Sequence, residues 1–184
     1  MKKIRYLLTV FLVLIAISSL SVITASASPS SVTRADVIWR ERIGTFQKLN
    51  RFTRANYPYY TKSFQRFMYA YSNVFKEDIR MHGGIDGDFY TAAERCLKEF
   101  QRVESISESE QLLVNGSWQS VSYAGPETWE EIGAQMWDEQ TSYFIFFSTS
   151  ADDGDRIFRA SVDSPYTFYY HEDAYEQWVQ FHTP

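Results

Sequence analysis

Gly84-Ile85-Asp86-Gly87-Asp88-Phe89-Tyr90-Thr91-Ala92-Ala93-Glu94-Arg95-Cys96-Leu97-Lys98-Glu99-Phe100-Gln101 is the stretch that decides how this chain folds. Asp86-Gly87 suits a tight turn, because glycine takes positive φ without steric cost and aspartate bonds to the backbone that follows it. Phe89 can then drop into a core as the chain turns into a helix. From Ala92 onward good helix formers dominate, with neither Gly nor Pro. Ala93, Cys96, Leu97 and Phe100 recur at the spacing of one buried helical face. Glu94, Arg95, Lys98, Glu99 and Arg102 take the other face, so this helix packs on one side only.

Further on, Gly125-Pro126-Glu127-Thr128-Trp129-Glu130-Glu131-Ile132 supplies a second Gly-containing turn that leads into apolar helix positions. Together the two stretches resemble the small peptidoglycan-binding domain that accompanies many bacterial wall hydrolases. The family pattern runs Asp-Gly-x-Phe-Gly-Pro-x-Thr, a small residue and an aliphatic, Phe-Gln, a loop, and a closing Gly-Pro-x-Thr-Trp. Asp86, Gly87, Phe89, Cys96, Leu97, Phe100-Gln101 and Gly125-Pro126-Glu127-Thr128-Trp129 occupy the matching places. Tyr90, Thr91 and Ala93 depart from it, standing where the family has Gly, Pro and Thr. The loop from Val114-Asn115-Gly116 to Gly125 is also longer, and carries Trp118 and Tyr123.

The resemblance covers about residues 60–135 and implies a three-helix wall-binding unit. Its helices are expected near 63–75, 92–102 and 127–135, with Phe89, Leu97, Phe100, Trp129 and Ile132 converging in one core. Phe64, Phe67, Met68, Tyr71 and Phe75 lie at helical spacing in the first of them. The aromatics in or beside the two turns, Tyr90, Trp118, Tyr123 and Trp129, are the expected binding residues.

At the N-terminus, Lys2, Lys3 and Arg5 precede an apolar run from Tyr6 to about Val22, and Ala25-Ser26-Ala27 has the small-x-small form read by a signal peptidase. Residues 1–27 are therefore expected to be a cleaved secretory signal. An uncleaved anchor is the other reading, with the run near the short end of a spanning helix. The expected localisation is secreted, extracellular or wall-associated, with the membrane a partner only before cleavage.

Loss of the signal leaves 157 of 184 residues and, by removing three basic residues, takes the net charge from −5 to −8. The charge is divided along the chain. Residues 34–80 hold ten basic side chains and four acids, whereas residues from Met81 onward hold five and nineteen. The halves could face different partners or each other. A segment at 28–58 reads as an amphipathic helix, with Ile38, Trp39, Ile43, Phe46, Leu49 and Phe52 on one side. Its Arg40, Arg42, Lys48, Arg51 and Arg54 are either a solvated face or a surface for anionic wall polymer. Nucleic acid is a poor partner for a secreted acidic chain.

The last segment, 137–184, has another texture. Tyr143-Phe144-Ile145-Phe146-Phe147, Ile157 to Val162, Tyr166 to Tyr170 and Gln177 to Phe181 are rich in aromatic and β-branched residues and read as strands of a small antiparallel sheet. The overall expectation is an α+β chain: residues 59–136 as the helical unit, followed by this β element. Asp152, Asp153 and Asp155 read as a solvated turn in preference to a calcium loop, since hard cations need six or more oxygens and no later Glu completes the set.

Catalytic chemistry has thin support. Cys96, the only cysteine, excludes an intramolecular disulfide and falls on a buried face, where a reactive thiol has no access. His82, His171 and His182 lack the His-Glu-x-x-His spacing of a zinc helix, and no nucleophile elbow is present. No catalytic residue, metal or cofactor is assigned. The expected function is a secreted, non-catalytic peptidoglycan or wall-polymer binding protein. An interaction or inhibitor protein of the same fold is the alternative, and a small wall hydrolase with acids from both halves comes third.

Overall fold

A computed structural model describes residues 34–53, 56–141, 143–149, 156–163, 166–172 and 176–182. The expected signal and the Asp152, Asp153 and Asp155 turn lie outside them. The described residues belong to one packing unit, and the chain is α+β. Helices α1 (Arg34–Ile43), α2 (Pro58–Tyr71), α3 (Asn73–Met81) and α4 (Ala92–Glu104) come first. A hairpin of β1 (Ser109–Val114) and β2 (Ser117–Ser122) leads to helix α5 (Pro126–Ala134). Strands β3 (Trp137–Gln140), β4 (Phe144–Ser148), β5 (Arg156–Ser161), β6 (Phe168–Glu172) and β7 (Gln177–His182) then form an antiparallel sheet in sequential order.

The five expected core residues, Phe89, Leu97, Phe100, Trp129 and Ile132, are fully buried in one cluster. Helix α2 lies between the helical half and the sheet. Phe64 meets Phe89 at 5.1 Å between ring centroids, Phe67 meets Phe100 at 5.7 Å, and Tyr60 meets Phe181 at 5.5 Å. Cys96 is buried as expected, and burial pushes its thiol up to about 12, so it is inert at neutral pH.

Three expectations need correction. The helix expected at 63–75 is two helices, because Ser72 takes extended geometry (φ −153°, ψ 153°) and its hydroxyl caps the next helix by accepting from Phe75 N at 3.2 Å. The amphipathic helix expected across 28–58 ends at Ile43. Phe46 and Leu49 are buried from turn and extended backbone, and Leu49 exchanges two backbone hydrogen bonds with Ala124 at 3.1 and 2.8 Å. The long loop before Gly125 is a hairpin. Asn115 (φ 50°) and Gly116 (φ 79°) both take positive φ, the geometry that a two-residue turn between twisted strands requires.

The helical half and the sheet meet around Trp39 of α1. Its indole stacks on Phe158 at 5.5 Å, lies 5.3 Å from Phe147, and donates from Nε1 to the Trp129 carbonyl at 2.7 Å. Gly133 on α5 leaves the space: a Cβ there would fall within 2.5 Å of Trp39 Nε1. Gly→Ala inside a helix normally stabilises by about 1 kcal/mol. Gly133→Ala should do the reverse and lower the urea midpoint, because the indole is locked by its hydrogen bond and by rings on several sides.

At the far end of the chain His182 is buried against α2. Thr45 Oγ1 donates to Arg42 O at 2.6 Å and therefore accepts from His182 Nε2 at 3.2 Å, which leaves Nδ1 to accept from the Tyr60 hydroxyl at 2.6 Å. This network holds the neutral ring. Burial, followed by the nearby Arg42 charge, lowers the His182 pKa. The unfolded chain binds that proton near pH 6.5 and the folded chain only at lower pH. Stability from this site is therefore full above about pH 6.5 and lost as pH falls through the folded value. Urea midpoints taken across this window should drop for the parent, and the drop should shrink in His182→Gln.

Candidate functional site

The turns that frame the expected binding surface are held from inside by three buried polar side chains. Gln65 of α2 donates from Nε2 to Asp86 Oδ1 at 2.9 Å and to Asp88 O at 3.0 Å, and its Oε1 accepts from Gly87 N at 2.9 Å. Asp86 Oδ1 also accepts from Asp88 N at 2.8 Å, the local bond expected of an aspartate turn. Gly87 has φ 85°, and a Cβ there would approach Pro58 O to 3.3 Å, so both conformation and space select glycine.

The second turn is held by Gln101 and Glu108. Gln101 Nε2 donates to Tyr123 O at 2.8 Å and to Thr128 Oγ1 at 3.0 Å. The Glu108 carboxylate accepts from Gly125 N at 2.9 Å, Glu127 N at 3.0 Å and Thr128 N at 2.9 Å. It thus caps α5, where unpaired N–H groups and the helix dipole favour an anion. Glu108 lies outside the quoted stretches and 17 residues before the turn it closes, a separation at which no capping spacing is visible in sequence.

From this base the β1–β2 hairpin projects. Lys48 pairs with Glu110 at 2.5 Å, and Arg51 reaches Gln119 Oε1 at 2.8 Å and Glu94 at 3.8 Å. With Lys62–Glu172 at 3.0 Å, the Lys48–Glu110 and Arg51–Glu94 pairs join basic residues of the first half to acids of the second. The charge division therefore serves contacts within the chain, at least at these residues, and Lys48 and Arg51 are not simply solvated.

The expected binding residues separate. Trp118 is 70% exposed and sits directly across the hairpin from Leu113, itself 61% exposed. Tyr90 is exposed beside the first turn. Tyr123 is half-buried, with Lys48 Nζ 3.7 Å from its ring centroid, so one face is already occupied. Trp129 has no exposed surface and belongs to the core; a side chain enclosed on all sides offers no face to a ligand. Arg51 ties Gln119 of the hairpin to Glu94 of α4.

Beneath the hairpin tip Phe52, Leu112, Leu113, Val114 and Asn115 line an open groove of about 330 Å³. Phe52 is 46% exposed there, with the Arg51 guanidinium 4.9 Å from its ring. The sequence offered a signal for this site in Asn115-Gly116 between two runs of strand-forming residues, whereas the contribution of Phe52 depends on a contact between distant segments. Thr91 has φ 48°, which the proline of the family pattern cannot adopt.

Among the described residues no cluster of three or more His, Cys, Asp or Glu side chains could hold a metal, and no helix is long and apolar enough to cross a membrane. No family model matches the chain, and no curated protein or solved structure matches it significantly.

Replacing Glu108 by Gln removes the charge and turns one acceptor into a donor facing backbone N–H groups. The change should cost about 1.5–3 kcal/mol in urea unfolding. It should also loosen α5 first, seen as faster amide exchange at Gly125, Glu127 and Thr128.

Proposed function

We propose that this protein is a secreted, non-catalytic binding protein for peptidoglycan or a related wall polymer, with the hairpin tip and the groove below it as its contact surface. The observation that carries the reading is the pairing of two large exposed side chains, Leu113 and Trp118, on a hairpin whose base is fixed by buried hydrogen bonds. An exposed indole on this strand offers a flat apolar face to a sugar ring or stem peptide. Arg51, Gln119 and Asn115 supply polar neighbours for hydroxyl and amide groups. The resemblance of the Asp86-Gly87 and Gly125-Pro126 stretches to wall-binding modules supports the same ligand class, and the basic and apolar start of the chain supports export.

A second reading is favoured by the groove lining. Phe52, Leu112, Leu113 and Val114 are more apolar than a sugar site requires, and suit a hydrophobic side chain from a protein partner. On that reading the protein is a secreted interaction or inhibitor protein built on the same scaffold.

Sedimentation with purified sacculi separates them. The parent should pellet with peptidoglycan and release no soluble fragments. Trp118→Ala and Leu113→Ser should weaken pelleting several-fold, in line with about 0.5–1.5 kcal/mol for one aromatic contact, at an unchanged melting temperature. A parent that stays in the supernatant across pH and salt defeats the wall-binding reading and favours the second.

A further inference from the structure

The C-terminal sheet presents two different faces. Phe147, Phe158, Phe168 and Tyr170 point toward the helices and are buried. Their alternate neighbours Phe144, Phe146, Arg159, Tyr169, His171 and Trp178 form the opposite face and are half-buried. Arg159 sits at the centre, with Phe146 and Tyr169 as its cross-strand partners. Its guanidinium carbon lies 4.4 Å from the centroid of Phe144, 4.7 Å from Tyr169 and 4.8 Å from Trp178. Trp178 in turn touches Phe146 at 5.6 Å and His171 at 5.0 Å.

A cation withdrawn from water ordinarily has a carboxylate partner. Arg159 has none among the described residues, and its Nε is buried without a hydrogen bond. Burial pulls its pKa below the usual arginine value, although a guanidinium keeps its charge in proteins. The surrounding rings satisfy the cation through their π faces. Those faces accept no strong in-plane hydrogen bond, so the N–H fork remains suited to a planar anion. Arg156 adds positive charge to the same face, 4.9 Å from the Phe146 ring. Of the nearby acids, Glu172 is tied to Lys62 at 3.0 Å, and Glu139 lies opposite Phe146 in the strand register.

We propose that this outer face binds an acidic sugar, with the carboxylate on the Arg159 fork and the C–H face of the ring against Trp178 and Tyr169. A bare carboxylate would leave the aromatic surface unused, and a neutral sugar would leave the cation unpaired. The site lies on the C-terminal sheet, apart from the hairpin, and does not depend on the wall-binding reading.

Titration of the full chain with glucuronate, glucose and acetate tests this by NMR. The reporter is the Trp178 indole N–H signal, identified by its loss in Trp178→Phe. Glucuronate should shift it along a saturable curve, and glucose and acetate should bind at least about tenfold more weakly, the loss expected when a charged hydrogen-bond partner or the ring is missing. Arg159→Gln should weaken glucuronate binding by at least about tenfold, and Arg159→Lys, which keeps the charge without the fork, by less. If Arg159→Gln does not fold, Arg159→Lys and the selectivity of the parent decide the matter. The absence of a saturable shift with glucuronate, an equal affinity for glucose, or undiminished binding in the Arg159 variants overturns the proposal.

Discussion

The fold turns on one indole. Trp39 comes from the first described helix, yet its ring fills the space between α5 and the sheet, pressed against Gly133 and bonded to the Trp129 carbonyl. Phe46, Phe147, Phe158 and Phe168 surround it with centroids 5.1 to 5.6 Å away. Aromatic pairs at such separations add to the burial of their large apolar areas. Segments from the start, middle and end of the chain thus share one core, and each lacks a complete apolar interior without the others. The high aromatic content is explained here, because with no disulfide available the chain depends on bulky side chains for stability.

Polar groups inside this core have a different task. Gln65, Gln101 and Glu108 are nearly inaccessible, and the bonds described for them run chiefly to backbone atoms of the two turns. Turn backbone brought against a core must find hydrogen-bond partners, and a side chain from a neighbouring helix or loop provides them at fixed geometry. The consequence reaches the surface. The hairpin begins directly after Glu108 and ends just before Tyr123, whose carbonyl Gln101 holds. A rigid base therefore supports the exposed Leu113–Trp118 pair.

The two candidate surfaces differ in the same terms. The hairpin groove is largely apolar, and its nearby cations Lys48 and Arg51 are already engaged with Glu110 and Glu94. On the outer sheet face the Arg159 cation sits among rings, with no carboxylate partner among the described residues. One surface is mainly apolar, and the other sets a cation among aromatic rings. The rings around the Arg159 guanidinium offset part of its desolvation cost while leaving it without a carboxylate partner among the described residues.

Much of the helical half was legible in the sequence. The convergence of Phe89, Trp129 and Ile132 was expected only from the resemblance of the two turn stretches to a known pattern, whereas the Asp86-Gly87 turn and the buried face of Ala93, Cys96, Leu97 and Phe100 follow from local conformational preference and a 3.6-residue period. Four of the C-terminal strands were legible for the same reason, since alternation and β-branched or aromatic residues act over a few positions. Asn115-Gly116 also carried a hairpin signal, although the segment reads first as a long loop. The fold alone decided which aromatic is core and which is surface: both Trp118 and Trp129 are tryptophans beside a Gly-containing turn, but one stands on a projecting strand and the other is enclosed with Trp39, Phe46 and Phe64 around it. Tertiary structure likewise set the Glu108 cap, the pairing of basic and acidic halves, and the aromatic setting of Arg159. Each depends on residues far apart in the chain, and their encounter is fixed by packing, which no local pattern encodes.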